Sequence, residues 1–108
     1  VSAGGGNAET VRRRREDRLR FLERLYRSSE EEGVVYEDGY ALAEELGLSR
    51  MDAERIARYH EDHGYLKNMG GTGLTLRITA RGIDFVESGA GRDPDRPGTL
   101  PAAKETTP

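Results

Sequence analysis

The sequence predicts a small α+β domain, mainly helical, over residues 11–87. Three observations predict it. Apolar residues recur at helical spacing in residues 19–26, 42–46 and 53–60. Two alternating segments, 65–69 and 74–79, flank the glycine-rich stretch Gly70-Gly71-Thr72-Gly73. Both ends of the chain lack the side chains that build a core. A three-helix core, a β-hairpin and a C-terminal helix are therefore expected.

The 108 residues suffice for one domain. Hydrophobic residues make up 34% of the chain and charged residues another 34%. Ordinary domains are nearer ~45–50% apolar, so part of this chain is expected outside the core. Residues 1–10 include three consecutive glycines, and residues 88–108 hold all four prolines. Neither end buries enough surface to offset its ordering entropy, and both are expected to be disordered tails. The net charge of −3 gives no global attraction to nucleic acid, so any basic surface must be local. The absence of cysteine excludes disulfides and thiolate metal sites. No apolar run approaches the ~20 residues that span a bilayer. No apolar segment follows the early arginines as in a signal peptide, and a cytoplasmic protein is expected.

Residues 11–32 contain no Gly or Pro, and Leu19, Leu22, Leu25 and Tyr26 share one helical face. The helix is expected to pack from about Arg18 onward and to end at Gly33. Val34, Val35 and Tyr36 are β-formers and predict one short strand. Asp38 caps a helix running to about Leu46, with Leu42, Ala43 and Leu46 buried. Gly47 suits the positive φ that ends it. Ser49 then caps a helix to about His63, and Asp52 completes a capping box. A hairpin follows, and Thr79 caps a last helix, ARGIDFVES, that buries Ile83 and Val86 with Phe85 at the flank.

At about 100° per residue, Ala53, Ile56, Ala57 and His60 form the inner face of helix 50–63. Met51, Arg55, Arg58 and Asp62 point away from it, with Glu54 beside them. Ala43 is small where helix 38–46 crosses helix 50–63, and Gly47 makes the turn between them, as a helix-turn-helix requires. The stretches LAEELGLS (42–49), ARYHEDHGYLK (57–67) and LRITARGIDFVE (76–87) resemble the winged helix-turn-helix superfamily of small microbial regulators. The resemblance covers about residues 18–87. It implies a recognition helix at 50–63 in the major groove of double-stranded DNA and a wing around 68–75 on the backbone. The expected contacts are Ser49, Arg50, Met51, Glu54, Arg55 and Arg58, with Lys67, Asn68 and Arg77 from the hairpin. Regulators of this kind commonly pair, which implies a possible homodimer with helix one as the available interface; Phe21, off the main stripe beside Leu25, reads equally as edge packing or as a dimer contact. The uncharged wing tip and the acids on the recognition helix keep an alternative in view, a module that binds a protein partner instead of DNA.

The run Arg12-Arg13-Arg14-Arg15 reads as a solvated helix start or a nucleic-acid arm, diluted by Glu16 and Asp17. His60 and His63 read as a structural pair rather than metal ligands, because no third strong ligand lies near. The loop GGTG lacks a Walker lysine and leads into no helix, so it cradles no phosphate. No catalytic arrangement stands out, and neither enzyme activity nor a cofactor is expected.

Overall fold

Apolar side chains at helical spacing gather in helices, and alternating ones gather in a sheet, around a single core. A computed structural model describes residues 2–91, and the side chains from residue 8 onward. The elements run α1 (Ser2–Glu30), β1 (Glu37–Asp38), α2 (Gly39–Glu45), α3 (Arg50–Asp62), β2 (Leu66–Asn68), β3 (Thr75–Ile78) and α4 (Ala80–Ser88). The fold is α+β and mainly helical, with four helices and a small antiparallel sheet. Among the described residues no helix is long and apolar enough to cross a membrane.

α1 begins well before residue 11, so residues 2–10 are helical where a disordered tail was expected. Its residues 8–16 are all exposed. Extending an existing helix is much less costly than nucleating one, and the Glu9–Arg12 pair at 3.6 Å lies one turn apart on this extension. Packing begins near Arg18, as the apolar spacing predicts. The buried face is centred differently, however. Phe21, Leu22, Leu25 and Ser28 are wholly buried, whereas Leu19 and Tyr26 are half-buried at the flank. Phe21, Leu25 and Ser28 follow one another at i, i+4 and i+7. The small polar Ser28 continues the apolar face, so the stripe drawn through leucines alone is rotated away from the true one. The expected dimer contacts are corrected by the same fact: Phe21 and Leu25 lie in the domain's own core and present no surface to a second copy.

Arg24 makes burial of Ser28 affordable in hydrogen-bonding terms. Its Nη1 donates to Ser28 Oγ at 2.9 Å and its Nε to Glu45 at 2.8 Å, while Nη2 lies 3.6 Å from Glu32. One guanidinium thus joins α1 to the end of α2. After Gly33 the chain is extended, but Val34, Val35 and Tyr36 stay exposed and pair with nothing in the sheet. The first strand is displaced to Glu37–Asp38, where the backbone reaches β3. β-propensity alone misplaced it, because pairing follows register and not side-chain type.

α2 and α3 end in the same way. Leu48 N–H donates to Ala43 O and Gly47 N–H to Glu44 O, at 2.8 and 3.0 Å. Tyr65 N–H donates to His60 O and Gly64 N–H to Glu61 O, both at 2.9 Å. These are Schellman closures, and each needs a residue at positive φ, supplied by Gly47 at 78° and Gly64 at 80°. Ala43 is buried between α2 and α3. The Ser49–Asp52 capping box is complete.

β3 lies between β1 and β2. Leu66 pairs with Ile78, Lys67 with Arg77, and Asn68 with Leu76. Leu66, Leu76 and Ile78 enter the core, which also holds Ile56, Leu42 and Leu74. Thr79 caps α4 through Gly82 N–H, and its own hydroxyl donates to Gly64 O. α4 sits so close to the start of β2 that a Cβ on Gly82 would collide with the Tyr65 carbonyl oxygen. Ile83, Phe85 and Val86 close the core from that side. Tyr26 donates to Glu87 at 2.7 Å and ties α1 to α4. The segment 92–108, expected to be a tail, lies outside the described residues.

Two substitutions test this packing. Phe21→Ser should cost at least about 3 kcal/mol, the range for truncating a buried phenylalanine, and should unfold the domain rather than split a dimer. Gly82→Ala should cost on the order of 1–3 kcal/mol, since backbone must move to admit the methyl group. Exposed Arg58→Ala should stay within about 0.5 kcal/mol. Urea denaturation of the three variants checks the order, and a stable Phe21→Ser protein would overturn the core described here.

Candidate nucleic-acid interface

α3 presents two faces with opposite chemistry. Ala53, Ile56, Ala57 and His60 are buried against the core, as the projection predicts. The outward side carries Arg50, Met51, Glu54, Arg55 and Arg58, all exposed. Ser49 is engaged as the N-cap of α3, its hydroxyl oxygen accepting from Asp52 N–H at 3.0 Å. Asp52 in turn accepts from Ser49 N–H, which holds its carboxyl below the usual range, helped by the Arg55 guanidinium at 2.9 Å.

The outward residues differ in what already engages them. The Arg50 guanidinium carbon lies 3.8 Å from the centre of the Tyr40 ring, a cation–π contact. Tyr40 donates its hydroxyl to Glu54 at 2.7 Å, which raises the phenol pKa. Arg50, Tyr40 and Glu54 therefore form one cluster across α2 and α3, which spacing within a single helix does not reveal. Arg55 is shared with Asp52. Arg58 has no ion-pair partner among the described residues. Met51 is 74% exposed at the start of the helix.

On the hairpin, strand alternation puts Lys67 and Arg77 on the outer face and directly across from each other. Neither has an ion-pair partner among the described residues. Like charges in this position repel. Asn68 belongs to the other face, opposite Leu76, and its Oδ1 accepts from Gly70 N–H at 3.2 Å. It shapes the loop and is not placed outward as the sequence suggested. The arginine run does not make a purely basic groove either. Arg13 and Arg14 meet Arg55 along a groove of about 350 Å³, but Glu9, Asp17 and Asp52 line it too.

His60 is the one buried titratable side chain on α3. Its Nε2 lies 2.8 Å from Arg18 O, so Nε2 carries the proton and donates it. Nδ1 is then an acceptor, and it has no partner among the described residues. Protonating Nδ1 would bury a charge with nothing to receive its hydrogen, close to Arg18 and His63. Burial, the largest cause, lowers the His60 pKa to about 4. Tyr59 and Tyr65 pack against the ring. His60 and His63 do not combine with a third ligand: among the described residues no group of three or more His, Asp or Glu side chains is arranged to hold a metal ion.

Comparison with protein-family models, with curated proteins and with solved structures finds no match to this chain.

His60 yields a pH prediction. Unfolded histidine titrates near 6.5 and folded His60 near 4. Between these values the unfolded chain binds more protons, so stability rises with pH. The stabilisation is complete above about pH 6.5 and is lost as pH falls towards 4, by on the order of 3 kcal/mol. Urea midpoints measured from pH 7 to 4 should show this loss, and His60→Phe should flatten it. An unchanged pH slope in the variant would assign the acid loss to other groups.

Proposed function

We propose that the domain is a winged helix-turn-helix module that binds double-stranded DNA as a small transcription regulator. The element order, with a strand between the first two helices and a hairpin after the third, supports the winged-helix plan. So does the sheet order β1-β3-β2. In this reading α3 enters the major groove and the hairpin lies on the backbone.

The observation that carries the reading is the placement of unpaired cations. In a chain of net charge −3, Arg20, Arg24 and Arg55 all find carboxylates. Lys67 and Arg77 instead face each other across the hairpin, and Arg58 stands alone on the outward side of α3. A phosphate backbone relieves the repulsion between Lys67 and Arg77 and supplies the missing counter-charge. Arg58, Met51 and Arg55 are the α3 side chains left to reach base edges, Arg55 by exchanging Asp52 for the ligand. Ser49, Arg50 and Glu54 set the helix and its cluster with Tyr40 rather than read DNA.

One observation favours the alternative, a protein-binding module. The groove of Arg13, Arg14 and Arg55 is balanced by three acids and lies beside the exposed start of α3, a mixed-charge surface suited to a polar protein interface.

Fluorescence anisotropy with a mixed-sequence DNA duplex separates the two. Binding at low salt should weaken steeply as salt rises, and Lys67→Gln and Arg77→Gln should each reduce the salt slope by about 1. Arg58→Ala should weaken binding without unfolding the domain. No anisotropy change at tens of micromolar protein in low salt would remove the DNA reading in favour of the protein partner.

A further inference from the structure

A second concavity lies on the opposite flank of α1, away from the outward face of α3. It measures about 450 Å³, within the roughly 300–1,000 Å³ range of small-molecule sites. One wall is cationic: Arg12, Arg15 and Arg18 recur every three residues along α1. The other wall is aromatic, built by Tyr59 at the end of α3, Tyr65 before β2 and Phe85 on α4. Tyr65 and Phe85 are stacked with ring centres 4.6 Å apart and planes 22° apart. Leu19 adds apolar surface, and His60 contributes a buried neutral ring.

We propose that this cleft binds a small planar aromatic carboxylate. The ring would lie against Tyr65 and Phe85, and the carboxylate would face the arginines of α1. The charge count points to a monoanion. Arg12 is paired with Glu9 at 3.6 Å. The Arg18 guanidinium carbon lies 4.2 Å from the centre of the Tyr59 ring. Arg15 has no ion-pair partner among the described residues, and Glu16 at the rim disfavours a more highly charged ligand. A guanidinium and a carboxylate are both planar and match as a two-pronged pair. The aromatic wall offers apolar ring surface against which the body of such a ligand packs.

The proposal stands independently of DNA binding, and its test contains no DNA. The full 108-residue chain, labelled with ¹⁵N, is titrated with 1-naphthoate and followed by amide chemical shifts. Saturable shifts should concentrate in residues 59–66 and 83–91 and around Leu19. Two controls dissect the recognition: 1-naphthamide lacks the charge, and cyclohexanecarboxylate lacks the flat ring. Each should bind about tenfold more weakly or worse, the cost of one charge-assisted contact or one ring face. Arg15→Gln, at an exposed position, should weaken naphthoate by a similar factor while leaving the free spectrum otherwise unchanged. Phe85→Leu keeps apolar volume, removes the stacked ring, and should also weaken naphthoate, with free-state shifts confined to the neighbours of the lost ring. Absence of saturable shifts up to millimolar naphthoate, shifts centred elsewhere, or equal binding of the amide would each overturn the proposal.

Discussion

Phe21, Leu22 and Leu25 lose all contact with water when α1 packs against α3 and β3, and the rest of the domain is arranged around that burial. Each such side chain contributes about 1.5–3 kcal/mol by leaving water. The partner surface has to be low to receive them. Ala53 and Ala57 provide that on α3, where larger side chains would hold the helices apart. Two polar ties cross this contact among the described residues, the hydrogen bond from His60 to the Arg18 carbonyl and the Arg18 guanidinium over the Tyr59 ring. They fix where along α1 the two helices meet. Beyond that point α1 continues as an exposed extension, and the arginines of residues 12–15 flank α3 instead of packing on it.

This contact also settles which side of α3 faces outward. With Ala53, Ile56, Ala57 and His60 turned in, Arg58 and Met51 can only turn out. The Schellman closures before and after α3 remove any freedom at its ends, because both leave the backbone hydrogen-bonded and reversed in direction. The direction in which the outward face points is therefore set by the backbone. That is the condition under which a few side chains can read a partner without a large ordering cost.

Much of this was legible in the sequence, and the failures share a cause. The inner face of α3, the caps at Asp38, Ser49 and Thr79, and the turns at Gly47 and Gly64 all depend on residues a few positions apart. Local chemistry determines them, and local spacing reveals them. The displaced strand at Glu37–Asp38 depends on where β3 passes, which no property of Val34, Val35 or Tyr36 encodes. Phe21 was placed at an interface because Ser28, its companion one turn beyond Leu25, does not count as apolar. Only Arg24, reaching from the same helix, makes that serine suitable for burial. Within the candidate site, Arg58 was assigned outward by projection alone. The engagement of Arg50 with Tyr40, and the turning of Asn68 into its own loop, required the tertiary partners. A strand parity count, with Leu66 taken as inward, would have placed Asn68 inward as well.

The distribution of charge carries more information than its sum. A net charge of −3 argues against a nucleic-acid partner only if the cations are neutralised where they stand. Here only some of the described arginines are paired: Arg12, Arg20, Arg24 and Arg55. Arg24 and Arg20 are paired along the seam between α1 and α2, where ion pairs and hydrogen bonds hold the helices together. Lys67 and Arg77 are set against each other on the hairpin, an arrangement that costs stability and is relieved by no ion pair among the described residues. Folding physics accounts for the paired arginines, and it does not by itself account for the opposed pair on the hairpin.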